Sequence, residues 1–200
     1  FPLFGYEGVQ KYRKIGFRTA QNYSWNMWGD GGDDSRRNTF LREPLARDIQ
    51  RAQGRLHAKS FNCHLYVNGR YWGLYMVQEA ASAKYATQYL GENKDLYDVI
   101  NTEGGRADAT DGTLDIFYAL YEAVQSGNLS DAEYYALQGL ASNGISRDPA
   151  KFHYLDAANL IDYMLAIYYT GDIDAPVSKW HNNQGINNFY GIISQVNPEG

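Results

Sequence analysis

The segment that most constrains the fold of this chain is residues 60–79, SFNCHLYVNGRYWGLYMVQE. Two runs of alternating aromatic and β-branched residues flank Asn68-Gly69, a dipeptide that readily takes positive φ at both centres of a type I′ turn. The pattern therefore predicts an antiparallel hairpin that turns at this dipeptide. Gly73, inside the second run, indicates a bulge or a close approach by another backbone or a ligand.

Upstream of the hairpin the pattern predicts one strand and one helix. Residues 13–20 form the strand, and the polar, Gly/Asp-rich residues 29–38 form a loop. A helix over about 39–53 follows, capped by Asn38 or Thr39. We expect the strand to lie beside the hairpin and the helix to pack against the resulting sheet.

After Glu79 the periodicity becomes helical. The predicted elements are helices at 83–90, 113–126 (capped by Thr113), 131–140 (with a Ser130/Glu133 capping box) and 157–170 (capped by Asp156), then a strand at 189–193. The last helix carries an apolar stripe typical of a buried face, made of Leu160, Ile161, Met164, Leu165 and Tyr168. This order predicts an α+β fold in one domain over residues 1–200, with a strand-rich lobe over about 1–80 and a mainly helical lobe over about 81–200.

Composition argues against several kinds of partner and site. The net charge is −5 and the longest basic run is Arg36-Arg37, which disfavours nucleic acid as a partner. A single cysteine, Cys63, rules out a disulfide or a cysteine metal cluster within the chain. No apolar run is long enough for a membrane span. The chain shows no Gly-x-Ser-x-Gly elbow and no Walker loop, which disfavours the hydrolase and P-loop classes.

A polar loop near the end of the chain holds the residues best suited to chemistry. Carboxylate and amide oxygens suit Mg²⁺, and phosphoryl transfer also needs a carboxylate that accepts the proton of the attacking hydroxyl. Asp and Asn are also the commonest residues in turns and helix caps, so a purely structural role for this loop stays open. The cluster consists of Asp172, Asp174, His181, Asn182, Asn183, Asn187 and Asn188.

Four further residues have a functional and a structural interpretation. Arg18 suits a nucleotide phosphate, or it is a surface arginine on a half-exposed strand. The carboxylate of Glu43 or Asp48 is suited to hold the Arg18 guanidinium in place, or each is a solvated charge on the helix. Glu79 ends the hairpin where a kinase hinge would run, and there backbone groups rather than the side chain would contact a nucleotide.

Four blocks of the sequence resemble the CotH (spore-coat protein H) family. They are TFLREPLARDIQRAQG (39–54), HLYVNGRYWGLYMVQE (64–79), LIDYMLAIYYTGDIDAPV (160–177) and NNFYGI (187–192). The blocks resemble, in order, the family's "LR-D/E" helix, its "NG" hairpin closing on Glu, its "DY…GNxD" segment and its Asn-aromatic strand. Together they span roughly residues 40 to 192 and are far more specific than any one block alone.

The resemblance implies an atypical protein-kinase-like fold that uses ATP and Mg²⁺ to phosphorylate hydroxyls of proteins. The implied substrates are spore-coat, cell-surface or secreted bacterial proteins, which implies an extracellular or surface location. Nucleotide contacts would come from Arg18 and from the backbone of Gln78, Glu79 and Ala80. We expect Arg18, this backbone and Asp174 to line one cleft between the two lobes.

For the metal and the proton transfer, the resemblance points to the late polar loop. Asp174 matches the Asp of "GNxD" and would be catalytic or metal-binding, and Asp172, which stands where many relatives have Asn, could add a ligand. Asn188 matches the Asn before the aromatic strand and would bind metal, although the long loop leaves Asn182 and Asn183 as alternatives.

One expected motif does not occur in the sequence. The family carries a metal-binding "WD-x-E/D" aspartate shortly after the Asn strand, and the chain reaches Gly200 without it. The start, Phe1-Pro2, lacks an initiator Met, so both ends look cut. We therefore expect the residues 1–200 to be inactive while the full-length parent is active. The alternative is a pseudokinase or surface-binding module whose aromatic face contacts polysaccharide or protein.

Overall fold

A computed structural model of the chain describes residues 2–8, 10–12, 14–19 and 39–196. The chain divides into two units, Phe1–Tyr89 and Leu90–Gly200. The first contains β1 (Ile15–Arg18), α1 (Arg42–Ala52), β2 (Ser60–Val67), β3 (Arg70–Glu79) and most of α2 (Ala83–Leu90). The second contains β4 (Tyr97–Glu103), β5 (Arg106–Asp111), α3 (Asp115–Val124), α4 (Asp131–Leu137), α5 (Ala157–Thr170) and β6 (Tyr190–Ser194). Helices and antiparallel sheets together confirm the α+β class.

The predicted hairpin is confirmed, and it forms the centre of the first sheet. The strand order is β1-β3-β2, all antiparallel, so the early strand pairs with the hairpin as predicted. The register shifts beside Leu65, which faces Gly73, while Tyr66 faces Tyr71. Trp72 is therefore the extra residue of a β-bulge, and Gly73 takes the positive φ of 140° that this bend requires.

The helix α1 contacts this sheet through the side chains of Arg47 and Glu43, and none of its residues is buried. It begins at Arg42 rather than near residue 39. Leu41 is the N-cap and makes no side-chain capping bond, so the predicted cap at Thr39 is wrong. The Thr39 hydroxyl instead accepts a hydrogen bond from the Leu41 N–H in the turn before the helix, at 3.3 Å. The alternative cap, Asn38, and the predicted loop 29–38 lie outside the described residues.

The second unit contains a sheet of three strands, of which the sequence analysis anticipated only the last. The strand order is β5-β4-β6, and both pairs are antiparallel. The hairpin of β4 and β5 turns at Gly104-Gly105, where both residues have positive φ. A Gly-Gly pair between two short runs is itself a hairpin signal. Neither run has the aromatic alternation of residues 60–79, so alternation alone does not reveal this hairpin.

The predicted helices are found, with some changes at their ends. α2 and α5 have the predicted bounds, and Asp156 caps α5 by accepting from the Asn159 N–H. Ser130 and Glu133 form the predicted capping box of α4. α3 begins at Asp115 with Leu114 as its N-cap, so the predicted cap at Thr113 is wrong. α3 and α4 end at Val124 and Leu137, earlier than predicted. No helix within the described ranges is long and apolar enough to cross a membrane.

The apolar stripe of α5 does not form the buried face that its periodicity predicts. Ile161 is 56% exposed, Leu165 55% and Tyr168 73%. Only Ala166 on this helix is buried. The expectation of a buried α5 is therefore wrong for this chain, because helical periodicity marks an apolar face without naming the surface that covers it.

The core of the second unit lies along β4, where Val99 and Ile100 are almost completely inaccessible to solvent. Asp98 is also buried, and its Oδ1 accepts from the Thr113 N–H and from Gln195 Nε2, both at 2.7 Å. A Cβ on Gly112 would come within 2.0 Å of this oxygen. The start of α3 therefore depends on the absence of a side chain at this glycine.

We predict that Gly112→Ala destabilises the protein strongly. Its φ of 71° costs an alanine about 1–2 kcal/mol, and displacing the buried Asp98 carboxylate adds about 1–3 kcal/mol. Gly127→Ala is the matched control, because φ there is 70° and a Cβ would meet nothing within 4 Å. Urea unfolding should show a clearly lower midpoint for the first variant, whereas equal midpoints would contradict the packing argument.

Candidate functional site

Arg18 and Glu43 form an ion pair that links the first sheet to α1. The Arg18 guanidinium lies 3.1 Å from one carboxylate oxygen of Glu43. The other carboxylate oxygen lies 3.0 Å from Arg47, one helical turn further along α1. Of the two candidates proposed to hold the Arg18 cation, Glu43 makes the contact, while Asp48 pairs with Arg51.

Arg47 is the residue of this cluster that sequence reasoning missed. Besides Glu43 it donates to the side-chain oxygen of Gln78 on β3, and it lies 3.7 Å from the sulfur of Met76. Burial lowers the pKa of the Arg47 guanidinium, and the Glu43 carboxylate opposes that shift. The i, i+4 spacing from Glu43 was the available signal for the ion pair.

Strand alternation divides the predicted nucleotide-binding residues between the two faces of the sheet. Arg18 faces Met76 across the β1–β3 ladder, and Gln78 is two residues further along the same face of β3. Glu79 therefore points to the opposite face. Its carboxylate accepts from the Lys59 N–H and from the Tyr89 hydroxyl, each at 2.8 Å, and the residue is 3% exposed. The Glu79 side chain is thus engaged within the unit, and Ala80 directly follows the strand.

In the second unit the late polar loop is ordered around Asp174. The Asp174 N–H donates to Asp172 Oδ1 at 2.9 Å. Asp174 Oδ1 accepts from the Ser178 hydroxyl at 2.5 Å and from the Asn187 amide at 2.9 Å. Both donors to the Asp174 carboxylate are side chains of the loop, and Ser178 is completely buried, so the loop sets the orientation of this carboxylate.

Asn187 connects this loop to the β4–β5 hairpin. Its Nδ2 donates to Asp174, while its Oδ1 accepts from the Gly104 N–H at 2.8 Å. The residue is 7% exposed. The sequence analysis included Asn187 in the cluster but gave it no role, because its second partner lies on the hairpin that was not predicted.

The three asparagines proposed as alternative metal ligands differ in their surroundings. Asn182 and Asn183 are exposed turn residues with φ of 57°. Asn188 also has positive φ, at 51°, but its Nδ2 donates to the Asp174 carbonyl at 2.7 Å. Its N–H donates to the Thr102 carbonyl of β4. Asn188 is therefore the alternative that lies against Asp174.

The oxygen atoms of this cluster are of the chemical types that a hard cation binds. Within the described part of the chain, Asp172 Oδ2, Asp174 Oδ2 and Asn188 Oδ1 have no hydrogen-bond partner. Carboxylate and amide oxygens are the ligands that Mg²⁺ takes in proteins. The described residues contain no group of three or more His, Cys, Asp or Glu side chains that could hold a metal. A cation here would therefore rely on two carboxylates, the amide oxygen and non-protein ligands.

The predicted site residues thus form two clusters, one in each unit. Arg18, Glu43, Arg47 and Gln78 belong to the first, and Asp172, Asp174 and Asn188 belong to the second. The expectation that they line one cleft remains a prediction.

We predict that Arg47→Met destabilises the protein by about 1–3 kcal/mol, because the half-buried Glu43 and Gln78 lose a charged donor. Arg51→Met is the matched control on the same helix. Its side chain is 67% exposed and its pair with Asp48 is solvated, so we expect a loss below about 0.5 kcal/mol. Thermal unfolding of both variants measures these losses of stability. Equal losses in Arg47→Met and Arg51→Met would show that the Arg47 contacts do not stabilise the protein specifically.

A second prediction concerns the buried amide that joins the loop to the hairpin. Asn187→Ala removes two hydrogen bonds and leaves the Gly104 N–H without an acceptor, which should cost about 1–3 kcal/mol. Gln184→Ala, at an exposed position of the same loop, serves as the control. Hydrogen exchange at Gly104 should accelerate in the first variant alone. Unchanged exchange would mean that the bond to Asn187 does not protect this amide.

Comparison with protein families gives a match over most of the chain. The family model described as CotH kinase protein matches residues 7–190. No curated protein and no solved structure is significantly similar to the chain. The matched region contains both clusters, from Arg18 to Asn188. The chain belongs to the CotH kinase family, as the four sequence blocks predict.

Proposed function

We propose that the protein transfers the γ-phosphoryl group of ATP to hydroxyl groups of proteins, with Mg²⁺ as cofactor. Family membership indicates a kinase-like function. The observation that carries the finer proposal is the Asp174 carboxylate, which has one oxygen held by Ser178 and Asn187 and the other without a partner in the described residues.

Asp174 suits the role of the group that orients the attacking hydroxyl. Two donors hold Oδ1, so Oδ2 has a defined position from which it can accept a proton. In the proposed step the substrate hydroxyl oxygen forms a bond to the γ-phosphorus while the bond from that phosphorus to the β–γ bridging oxygen breaks. ADP leaves with the electron pair, and the hydroxyl proton passes to Asp174 Oδ2.

The charge of the phosphates must be balanced during this step. Asp172 and Asn188 supply oxygens that would hold Mg²⁺, while Asp174 Oδ2 stays available for the proton. The contribution of the bound ion would be to neutralise the charge of the phosphate oxygens. Arg18 would add a guanidinium toward a phosphate. Its ion pair with Glu43 sets the orientation of that group relative to α1.

The nucleotide base would be recognised by backbone rather than by side chains. The Glu79 carboxylate is engaged by Lys59 and Tyr89, and the Gln78 side chain is engaged by Arg47. The proposal therefore assigns adenine contacts to main-chain groups of Gln78, Glu79 and Ala80. We further propose, from the family alone, that the protein substrates are secreted or displayed on the cell or spore surface, and that the enzyme acts there.

A second candidate function is a binding module with no phosphotransferase activity. Exposed aromatic rings at the tip of the first hairpin favour it: Tyr66 is 62% exposed, Tyr71 51% and Trp72 60%. The ring centroids of Tyr66 and Tyr71 lie 5.2 Å apart, and Trp72 is the extra residue of the adjoining bulge. Such a patch suits contact with a polysaccharide or a protein surface.

We predict that Asp174→Asn lowers the rate of phosphoryl transfer by the full-length protein about 10²–10⁴-fold while nucleotide binding is retained, because the amide cannot accept the proton. Asp108→Asn, an exposed β5 carboxylate without a hydrogen bond in the described residues, is the control and should retain the full rate. The measurement is transfer of labelled phosphate from ATP with Mg²⁺ or Mn²⁺.

The outcomes separate the two functions. If Asp174→Asn transfers phosphate at the wild-type rate, Asp174 has only a structural role in its turn. A wild-type protein that transfers no phosphate but loses binding to a glycan or coat protein on Trp72→Ala would establish the second candidate instead.

A further inference from the structure

The hydrogen bonds between β4 and the chain leading into β6 change their pattern at Thr102, next to Asn188. Up to Asn101, which faces Tyr190, the residues of the two strands pair one to one. One step further, the Thr102 N–H donates to the Phe189 carbonyl at 3.0 Å. In a regular antiparallel pair the Phe189 N–H would return to the Thr102 carbonyl. It donates to the Thr102 hydroxyl instead, also at 3.0 Å.

Because the hydroxyl serves Phe189, the Thr102 carbonyl is free to accept from another N–H. It accepts from the Asn188 N–H at 2.9 Å. Asn188 makes this bond with a φ of 51°, in the left-handed region that asparagine adopts more readily than most residues. With its backbone in this conformation, its Nδ2 donates to the Asp174 carbonyl at 2.7 Å. The Thr102 hydroxyl therefore supports the conformation that brings the Asn188 amide against Asp174.

The position of the Thr102 hydroxyl is well defined. Thr102 is 1% exposed, and β-branching restricts rotation of its side chain. The hydroxyl accepts from the Phe189 N–H and also donates to the Phe189 carbonyl at 3.2 Å. An apolar side chain of the same shape would leave the Phe189 N–H without this acceptor. That N–H would then compete with Asn188 for the Thr102 carbonyl.

We propose that Thr102 is a positioning residue for metal binding, because its hydroxyl holds the Asn188 amide where Oδ1 can bind the cation. In the described part of the chain Asn188 Oδ1 has no hydrogen-bond partner, so it is available to an ion. The inference rests on the proposed function, which assigns Asn188 and Asp172 to Mg²⁺. Removal of the hydroxyl should allow the regular pair of Thr102 and Phe189 to form, and Asn188 would lose its backbone acceptor.

The test compares Thr102→Val with Thr102→Ser in the full-length protein. Valine keeps the shape of the side chain and removes the hydroxyl, whereas serine keeps the hydroxyl. Thr102→Val should raise the dissociation constant of Mn²⁺, measured by EPR, about 10–100-fold, as expected when a residue that orients a metal ligand is lost. Thr102→Ser should bind Mn²⁺ as the wild type does.

Thr110→Val is the matched control in the same sheet. The Thr110 hydroxyl also bonds to a backbone carbonyl, that of Val99 at 3.2 Å, but it makes no bond to the loop that contains Asn188. This variant should leave the dissociation constant of Mn²⁺ unchanged. Hydrogen exchange at the Asn188 N–H, measured without metal, should accelerate in Thr102→Val and stay at the wild-type rate in Thr102→Ser and Thr110→Val.

A measurement on the wild type tests the proposal without any substitution. Bound Mn²⁺ should broaden the amide NMR signals of Asn188 and Phe189. Broadening that leaves both signals unchanged would overturn the proposal, because Asn188 would then have no ion to bind. Wild-type affinity in Thr102→Val, or equal weakening in the valine and serine variants, would overturn it as well.

Failure of the proposed function gives a different result. A wild-type protein that binds Mn²⁺ beside Asn188 but transfers no labelled phosphate from ATP would refute phosphoryl transfer. The Mn²⁺ dissociation constants of the valine and serine variants would still decide whether Thr102 positions Asn188.

Discussion

The bridging amide of Asn187 is the interaction on which the second cluster depends. One end of this amide donates to the Asp174 carboxylate and the other accepts from the Gly104 N–H of the β4–β5 turn. The loop between Asp174 and Asn188 has little regular structure of its own, so the hairpin supplies the rigid surface that orders it. Ser178, fully buried, adds a second donor to the same carboxylate oxygen. The Asp174 carboxylate is thus oriented by a sheet that contributes none of the proposed reacting groups.

A different constraint organises the first unit, namely the alternation of side chains along β3. Gln78 and Glu79 are neighbours in sequence and face opposite sides of the sheet. On one side Gln78 accepts from Arg47, which also pairs with Glu43. On the other side the Glu79 carboxylate accepts from the Lys59 N–H and the Tyr89 hydroxyl. Planar guanidiniums can donate two parallel hydrogen bonds, which suits the proposed contact of Arg18 with a nucleotide phosphate.

The features that could be predicted from the sequence are those with a local cause. The Asn68-Gly69 turn, the cap of α5 by Asp156 and the capping box of α4 each rest on residues a few positions apart. The role of Asn187 depends on a partner 83 residues away, on a hairpin whose strands lack aromatic alternation. The exposure of the α5 stripe could not be predicted either, because a periodic pattern identifies an apolar face and not its neighbour.

The central claim is that Asn187 acts on phosphoryl transfer through Asp174, and a double-mutant cycle on the transfer rate tests it most directly. Asn187→Ala should slow single-turnover transfer by the full-length protein roughly ten-fold, because Asp174 loses one of its two side-chain donors. In an Asp174→Asn background the same substitution should have no further effect, since the carboxylate it positions is absent. Full additivity of the two effects would contradict the account, because it would show that Asn187 contributes independently of Asp174.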